Sequence, residues 1–483
     1  MKILLVWPNK DSFGFKPIGI SLLSAIAKSV GWDVKLFDTT EIDFGFTSGH
    51  KQGEDIKLFK PVDLPKKKNL DLNLEFARVL EEYQPDCIGI SVLSDEHRIA
   101  GQISSVARTL YPDIPIIWGG KYPTLKPDYT LDNYDADFIC VGEGLGAFRE
   151  FLENFDGDLY NIRNIWSQHS RTDIRKLDPN LDKLPYLDWF IFNEKQFLKP
   201  FDGKIYRGGD HMLNWGCPHH CSYCINDYYH KLYNNKYTVR RYGIDRIIEE
   251  LKYLKDRWKL EFFKFHDEDF LLRPNLKELS EAYKEIGLPF VIMTNAKSVT
   301  ENKVKLLKDM NCVSVSMGIE TGDPELRRTL LKRVDKDEDI IRAFSLFNEY
   351  GIRTVSFTML GIPFETRETY EKTIDLNRRA GAQFPDFGFF YPFEGTELRD
   401  VSIREGFFSD NGVYERNKPA LHFKNLSESE LIEMGNAFVL HVKLPESYEP
   451  MIRRSETRDN EGDRLRKELI EIYDGYFNSN CSS

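Results

Sequence analysis

A chain of 483 residues, 41% hydrophobic, with 22 prolines and 32 glycines, has the length and apolar content of about two to four globular domains. Its formal net charge of −11 argues against a large nucleic-acid footprint, because phosphate binding needs a basic stripe. No run approaches the ~18 consecutive apolar residues of a membrane span, and seven cysteines with only one cluster make no disulfide framework, so a reducing cytoplasm is the expected compartment.

The chain opens with Met1, Lys2 and a short apolar run ending at Trp7. That run is too short for a signal peptide and is shaped like a first strand. From 1 to 155 short apolar runs at 2–7, 33–37, 87–92, 114–118 and 138–141 alternate with helical periodicity at 18–30, 72–83, 97–110 and 145–154. Such alternation predicts a parallel sheet covered on both faces, with ligands at the strands' carboxyl ends. The charged stretch 41–71 breaks the pattern and reads as an excursion. Small residues gather where the strands should end: Ser91 and Ser94, Gly119 and Gly120, then Gly142, Glu143 and Gly144. Glycine there lets backbone approach a ligand closely.

Residues 156–205 read as a proline-punctuated linker. From 206 to 398 the alternation returns, with strands expected at 211–215, 262–266, 290–294, 313–318, 354–360 and 387–391. Six strand–helix units suit a partial (β/α) barrel whose reactive groups lie on loops after the strands. Beyond 399, a helix is expected over 426–444, with Ser427 or Ser429 as its N-cap, and a second near 463–474. Residues 475–483 are expected to fray.

The chemistry centres on Cys217-Pro218-His219-His220-Cys221-Ser222-Tyr223-Cys224, while Cys87, Cys140, Cys312 and Cys481 stand alone. Sulfur of this spacing selects iron–sulfur clusters, zinc or copper(I). Three cysteines on a [4Fe–4S] cluster leave one iron open, whereas zinc would need a fourth ligand such as His219, His220 or His230. Later loops add Asp267, Glu268 and Asp269 after the second barrel strand, Asn295 after the third, Glu320 after the fourth and Gly361 after the fifth. The carboxylate trio would also suit magnesium, and Asn295 equally suits a turn. Lys332 and Arg333 are placed on the helix following Glu320, and arginine's fork suits a carboxylate better than lysine does.

The CxxxCxxC spacing with Tyr223 before the last cysteine resembles the signature of the radical S-adenosylmethionine (SAM) superfamily. Met317-Gly318-Ile319-Glu320-Thr321-Gly322 resembles its GIESG element and Gly361-Ile362-Pro363-Phe364-Glu365-Thr366 its GLPGET element, with Phe364 at the second glycine. Tyr391-Pro392-Phe393-Glu394-Gly395-Thr396-Glu397-Leu398 is similar to its barrel close. Pro17-Ile18-Gly19, Gly119-Gly120 and Val141-Gly142-Glu143-Gly144 resemble the cobalamin-binding domain that precedes this core in one class. The lower-ligand motif DxHxxG is absent: Asp11 takes the histidine's position in Asn9–Gly14.

The resemblance implies an α/β protein: a Rossmann-like cobalamin-binding domain over 1–155, a linker over 156–205, a partial (β/α)6 TIM-like barrel over 206–398 and a small, mostly helical cap of the substrate cavity over 399–483. Cys217, Cys221 and Cys224 would hold the [4Fe–4S] cluster. Tyr223, Asp267, Glu268, Asn295, Glu320, Arg333 and Gly361 would meet SAM, with Arg333 on its carboxylate. Asp11, Ser91, Ser94, Gly119, Gly120, Gly142, Glu143 and Gly144 would meet cobalamin. The implied activity is methylation of an unactivated carbon of a small molecule, with electrons from a flavodoxin- or ferredoxin-like donor. Two alternatives are a radical cyclisation, coupling or rearrangement and, in another class, a zinc-stapled sensor. Methylthiolation of tRNA would need three more clustered cysteines and a basic C-terminal module, and the chain has neither.

Overall fold

The computed structural model describes residues 1–45, 60–409 and 418–480; the middle of the 41–71 excursion and the end of the expected frayed tail lie outside them. The chain divides into two compact units. One contains the N-terminal segment, Val62–Pro218 and Tyr228–Lys264, and the other contains His219–Asp227 and the chain from Phe265 onward.

The first unit begins with a six-stranded sheet. Its strands are β1 (Lys2–Trp7), β2 (Asp33–Asp38), β3 (Cys87–Ser91), β4 (Ile116–Gly119), β5 (Phe138–Cys140) and β6 (Ile165–Trp166), in the order β2-β1-β3-β4-β5-β6. The first five pair in parallel and β6 joins antiparallel. Ile3 to Trp7 are all buried, which is why this strand is a continuous apolar run rather than an alternating one. Helices Leu72–Tyr83 and His97–Leu110 pack Phe76, Leu80, Ile99 and Ile103 against Leu4, Val6, Ile88 and Ile90. The chain order reverses between β1 and β3, and the loops leaving their carboxyl ends flank the crevice where such sheets take ligands. The two-residue β6, inside the stretch read as linker, is too short to give a periodic signal.

The same unit then adds a hairpin of β7 (Leu198–Phe201) and β8 (Lys204–His211), paired antiparallel. Its turn, Asp202-Gly203, has both φ angles positive at 50° and 74°, the conformation that keeps two-residue hairpins in step with strand twist. β9 (Asn214–Trp215) pairs only with β10 (Arg240–Arg241). The expected strand at 211–215 is therefore corrected: β8 ends at His211 and 214–215 turns to a separate partner. β8 escaped notice because its sequence, KIYRGGDH, is polar and glycine-rich. Its Gly209 is required by packing, since a Cβ there would lie 2.7 Å from Trp189 and 2.9 Å from Leu260.

β11 (Phe262–Phe265) follows, and the seven-stranded order is β15-β14-β13-β12-β11-β8-β7. Within the second unit, β12 (Phe290–Thr294), β13 (Cys312–Glu320), β14 (Arg353–Leu360) and β15 (Phe384–Phe389) are parallel throughout. Five of the six expected barrel strands are present as β11 to β15, β8 stands in place of the one expected at 211–215, and β7 is an added antiparallel edge. β15 begins at Phe384, three residues ahead of the expected 387. Pro385 obscured it, and an edge strand is where a proline is tolerated.

The C-terminal helix Glu428–Lys443 is capped by Ser427, whose hydroxyl accepts from Glu430 N while the Glu430 carboxylate accepts from Ser427 N. Leu431, Met434 and Phe438 bury its apolar stripe against Leu360, Tyr370 and Ile374, with Phe387 and Phe389 packed alongside. Helices Glu449–Ser455 and Asn460–Asn480 follow. The last helix is assigned as far as Asn480, into the stretch expected to fray. Among the described residues no helix is long and apolar enough to cross a membrane.

His441 pins this region. Fully buried, its ring lies 3.0 Å from Glu449 Oε1 and 2.6 Å from Glu456 Oε1. Burial opposes its charge, but the two carboxylates outweigh it and raise its pKa above 6.5. Hydrogen bonding to His441 draws Glu449 down to about 2. The imidazolium's contribution is thus complete below its unfolded pKa and fades as pH rises through the folded value, whereas that of Glu449 is present above 4.5 and lost toward pH 2. Replacing His441 with Gln should lower the unfolding free energy by ~2 kcal/mol near pH 6. Urea titrations should show that gap shrinking by pH 9.

Candidate active site

The cysteine loop leaves β9 through Gly216, at φ 92°, where a Cβ would press on Thr238 O at 3.0 Å. Cys217 is buried, Cys221 and Cys224 are half-buried, and none is in a disulfide. Two of the neighbouring histidines have other partners, and the third, His219, has its Nε2 buried without a hydrogen bond. His230 Nε2 meets the Cys217 carbonyl at 2.9 Å and His220 Nδ1 meets Asp227 Oδ1 at 3.1 Å. His219 Nε2 lies 3.8 Å from Asp269 Oδ2. Among the described residues no three Cys, His, Asp or Glu converge on one metal ion. This donor set fits three thiolates each taking a different iron of a cluster and leaving the fourth open, rather than a closed zinc site. Asn226 Nδ2 donates to Cys224 Sγ at 3.6 Å, a contact of the kind that tunes cluster potential.

The second half of the loop is fastened by Ser222. Its N–H reaches Leu331 O at 3.2 Å, its hydroxyl donates to Leu330 O at 2.5 Å, and its carbonyl accepts from Leu398 N at 2.9 Å. The Leu330 and Leu331 carbonyls are available because Leu326–Leu330 is a π-helical turn whose terminal C=O groups lack intrahelical donors. Lys332 and Arg333 follow this turn rather than sitting on a helix, which corrects the placement expected from sequence; the next helix starts at Asp337.

Tyr223, Glu320, Arg333 and Asp335 form a buried brace beside Cys221. The Tyr223 hydroxyl donates to Glu320 Oε1 at 3.1 Å and accepts from Arg333 Nη1 at 3.3 Å. Arg333 also reaches Glu320 Oε1 at 3.3 Å, Gly318 O at 3.0 Å and Asp335 Oδ2 at 2.9 Å. A register shift between Gly318 and Glu320 ends β13, and Glu320 adopts φ 63°. The bulge folds the carboxylate back over Gly318, where any Cβ would collide with it. Burial raises Glu320's pKa, with Arg333 and Tyr223 pulling it back. Burial likewise raises Cys221, and Arg333 opposes the rise. Only 8% of the Arg333 side chain is exposed, so it is no solvated surface charge.

Of the carboxylates after β11, Asp267 is fully buried and Glu268 exposed. Asp269 has the structural work: it accepts from Thr294 Oγ1, Leu271 N and Ser298 Oγ, tying the β11 loop to that after β12. Asn295 caps the turn 296–298 by accepting from Lys297 N at 2.9 Å. Gly361, at φ 74°, gives its N–H to Glu365, whose carboxyl burial pushes up to about 8. Phe364 keeps the turn by taking φ 64° itself, the conformation a glycine would have adopted freely.

In the first unit, Ser91, Ser94, Asp11 and Gly119 lie at or just past strand ends. The Cβ absent from Gly119 would meet only Cys140 Cβ, at 3.9 Å. Gly120, Gly142 and Glu143 are taken up by the protein itself. Gly120 lies at φ 97° with Val92 O 2.7 Å from where a Cβ would stand, and Gly142 at φ 85° with Tyr233 Oη at 2.5 Å. Glu143 N donates to Tyr233 Oη at 2.7 Å, and its carboxylate pairs with Arg240. A Cβ on Gly144 would stand 3.4 Å from Cys140 Sγ. Asp11 accepts from Ser12 N and brings no imidazole to the loop after β1.

Residues 215–376 match the family model of the radical SAM superfamily, and residues 58–152 match that of the B12 binding domain. The chain belongs to the radical SAM superfamily, with a B12-binding domain ahead of the radical SAM core. This domain pair implies a [4Fe–4S] cluster, SAM and cobalamin. Two relatives are each 23% identical. The uncharacterized methyltransferase PH0819 of Pyrococcus horikoshii aligns over 83% of both chains, and the cytidylyl-2-hydroxyethylphosphonate methyltransferase of Streptomyces wedmorensis over 84% of this chain and 82% of its own. The cobalamin-dependent S-adenosylmethionine radical enzyme OxsB, solved with aqua-cobalamin and S-adenosylmethionine, superposes with a TM-score of 0.69 at 14% identity. That alignment covers 99% of this chain and 71% of that one.

Removing the Arg333 guanidinium would leave the Glu320 and Asp335 carboxylates buried without their cation. Arg333→Ala should lower the unfolding free energy by about 3–5 kcal/mol in urea titrations at neutral pH, and Arg333→Lys should restore only part of it, lacking the fork.

Proposed function

We propose that this protein is a cobalamin-dependent radical SAM methyltransferase acting on an unactivated carbon of a small molecule. The observation that carries the reading is the loop of three cysteines, for which the described residues supply no closed metal-ligand set, in a chain that also bears a B12-binding domain. When bound, the cluster and SAM supply a 5′-deoxyadenosyl radical that takes a hydrogen atom from carbon, and cobalamin supplies the methyl group.

The chain's own residues position and shield. Cys217, Cys221 and Cys224 provide thiolates, and Ser222 holds the last two in place through the π turn. Arg333 is a positioning residue: with its guanidinium already shared among Glu320, Asp335, Tyr223 and Gly318, it orients Glu320 and Tyr223. Glu320 and the exposed Glu268 remain to meet the cationic end of SAM. Asp267 and Asn295 line the same loops, and the Gly361 turn offers backbone to the adenine. Ser91, Ser94, Asp11 and Gly119 receive the corrin ring at the strand ends, with Gly120, Gly142, Glu143 and Gly144 shaping the loops beside them. The domain limits proposed are 1–155, 156–205, 206–398 and 399–483, and a flavodoxin- or ferredoxin-like protein is the proposed electron donor.

Protein purified anaerobically with hydroxocobalamin and incubated with SAM and reductant should be brown and should release both 5′-deoxyadenosine and S-adenosylhomocysteine, read by mass spectrometry. Deoxyadenosine without S-adenosylhomocysteine would replace methylation by a radical rearrangement or coupling. Cys221→Ala should abolish deoxyadenosine and lower bound iron; wild-type amounts of either would defeat the cluster assignment.

A further inference from the structure

The two faces of the β14–β15 pair differ sharply. On one, Ser356 and Thr358 reach Asn377 of helix Arg367–Ala380, and Phe387 and Phe389 pack with Phe438 and Met434 of the C-terminal helix. Side chains alternate along a strand and paired residues share a face. Phe357 and Met359 of β14, with their partners Asp386 and Gly388 of β15, therefore lie on the opposite face. Gly318 of β13 is the other neighbour of Phe357, and the space above Gly318 is filled by Glu320 and Arg333. The brace beside Cys221 thus stands on this same face, two strands away from Asp386.

This face is open at its edge. A Cβ built on Gly388 would meet no atom within 4 Å, and Phe357 is 37% exposed despite its position mid-strand. Met359 packs into the apolar cluster of Ile362, Tyr391 and Phe408, which gives the space an apolar end. Asp386 is the acidic member of the surface. Burial lifts its pKa to about 6, and its carboxylate's one helper is the Phe387 N–H; among the described residues it makes no ion pair. A carboxyl of that pKa is mainly ionised at pH 7, and a half-buried carboxylate without a counter-ion is costly unless a ligand supplies the cation.

We infer that this surface is the substrate subsite of the enzyme and that it takes a small molecule with an amine or other cationic group, held by Asp386, beside an apolar portion held by Phe357 and Met359. The inference rests on the methyltransferase reading only for the word substrate; Asp386 acts in binding and orientation, and Gly388 keeps the space clear.

The test needs no turnover. Full-length, anaerobically reconstituted protein is titrated with 4-fluorophenethylamine, its neutral analogue 2-(4-fluorophenyl)ethanol and its anionic analogue 3-(4-fluorophenyl)propionate, with binding read from fluorine NMR line widths. The amine should bind at least ~10-fold more tightly than either analogue, and Asp386→Asn should erase that preference while leaving the neutral probe unchanged. Gly388→Val, which fills the open space at an ordinary strand φ, should block the amine and the alcohol alike. Circular dichroism and melting temperature should match the parent for both variants. Equal binding of the three probes, no binding of any, unchanged amine binding in Asp386→Asn, or displacement of the amine by S-adenosylhomocysteine, which would give Asp386 to the nucleoside, would each overturn the inference. Failure here with deoxyadenosine and S-adenosylhomocysteine still formed would leave the methyltransferase reading standing.

Discussion

The second unit's reactive end depends on one buried guanidinium. Arg333 meets Glu320, Asp335, the Gly318 carbonyl and the Tyr223 hydroxyl, and none of these groups could be buried cheaply without it. Desolvating the ions is repaid only when the geometry is good and the remaining donors are satisfied. That condition explains three irregularities: the bulge at the end of β13, the positive φ of Glu320 and the π turn that carries the chain round to Arg333. Each departs from ideal geometry, and together they bring Tyr223, one residue from Cys224, onto a rigid carboxylate. Strained backbone of this kind persists when the surroundings over-determine it. The result is a cysteine loop held by a hydroxyl, two carbonyls and an ion cluster rather than by a disulfide or by regular secondary structure.

The first unit solves a comparable problem with lysines. Lys16 is fully buried, donates to the Gln196 and Gly208 carbonyls at 3.0 Å, and lies 3.3 Å from Asp210 Oδ2. Burial lowers its pKa to about 7, with Asp210 opposing the fall. Lys199 meets the other Asp210 oxygen and the Gly14 carbonyl. The segment after β1 is thereby fixed to β8 by charge, in the stretch where Asp11 replaces an expected imidazole. A buried lysine is a strong constraint, because leaving any of its donors unmet costs more than the contact gains.

What the sequence disclosed follows from how each element earns its stability. Strands buried on both faces, such as Lys2–Trp7 and Cys87–Ser91, are readable as apolar runs. β7 and β8 are not, since their pairing is set by the Asp202-Gly203 turn and their packing by glycines, and both signals are local and weak. Likewise the three cysteines were legible from spacing alone, but the partner of Tyr223 was not, because it depends on a bulge that no periodicity announces. Arg333 was found for its chemistry and misplaced by assuming helix where the chain makes a π turn. Phe364 shows the limit of motif glycines: the turn survives the loss of glycine by accepting a left-handed phenylalanine, whose ring then stands 5.2 Å from Phe407.

Asp386 was missed for a related reason. Placing the last strand three residues late put the carboxylate in a loop, where an aspartate is unremarked. With the strand beginning at Phe384, the segment becomes Phe-Pro-Asp-Phe-Gly-Phe, and a single acid and a single glycine then occupy alternate positions in an otherwise apolar edge strand. Alternation assigns both to one face, and the packed phenylalanines assign that face away from the helices. A fold needing only core would have placed apolar side chains at both positions. Retaining an anion and an empty Cβ there makes sense when something else completes the packing, and the chemistry of the acid specifies the charge that something must bring.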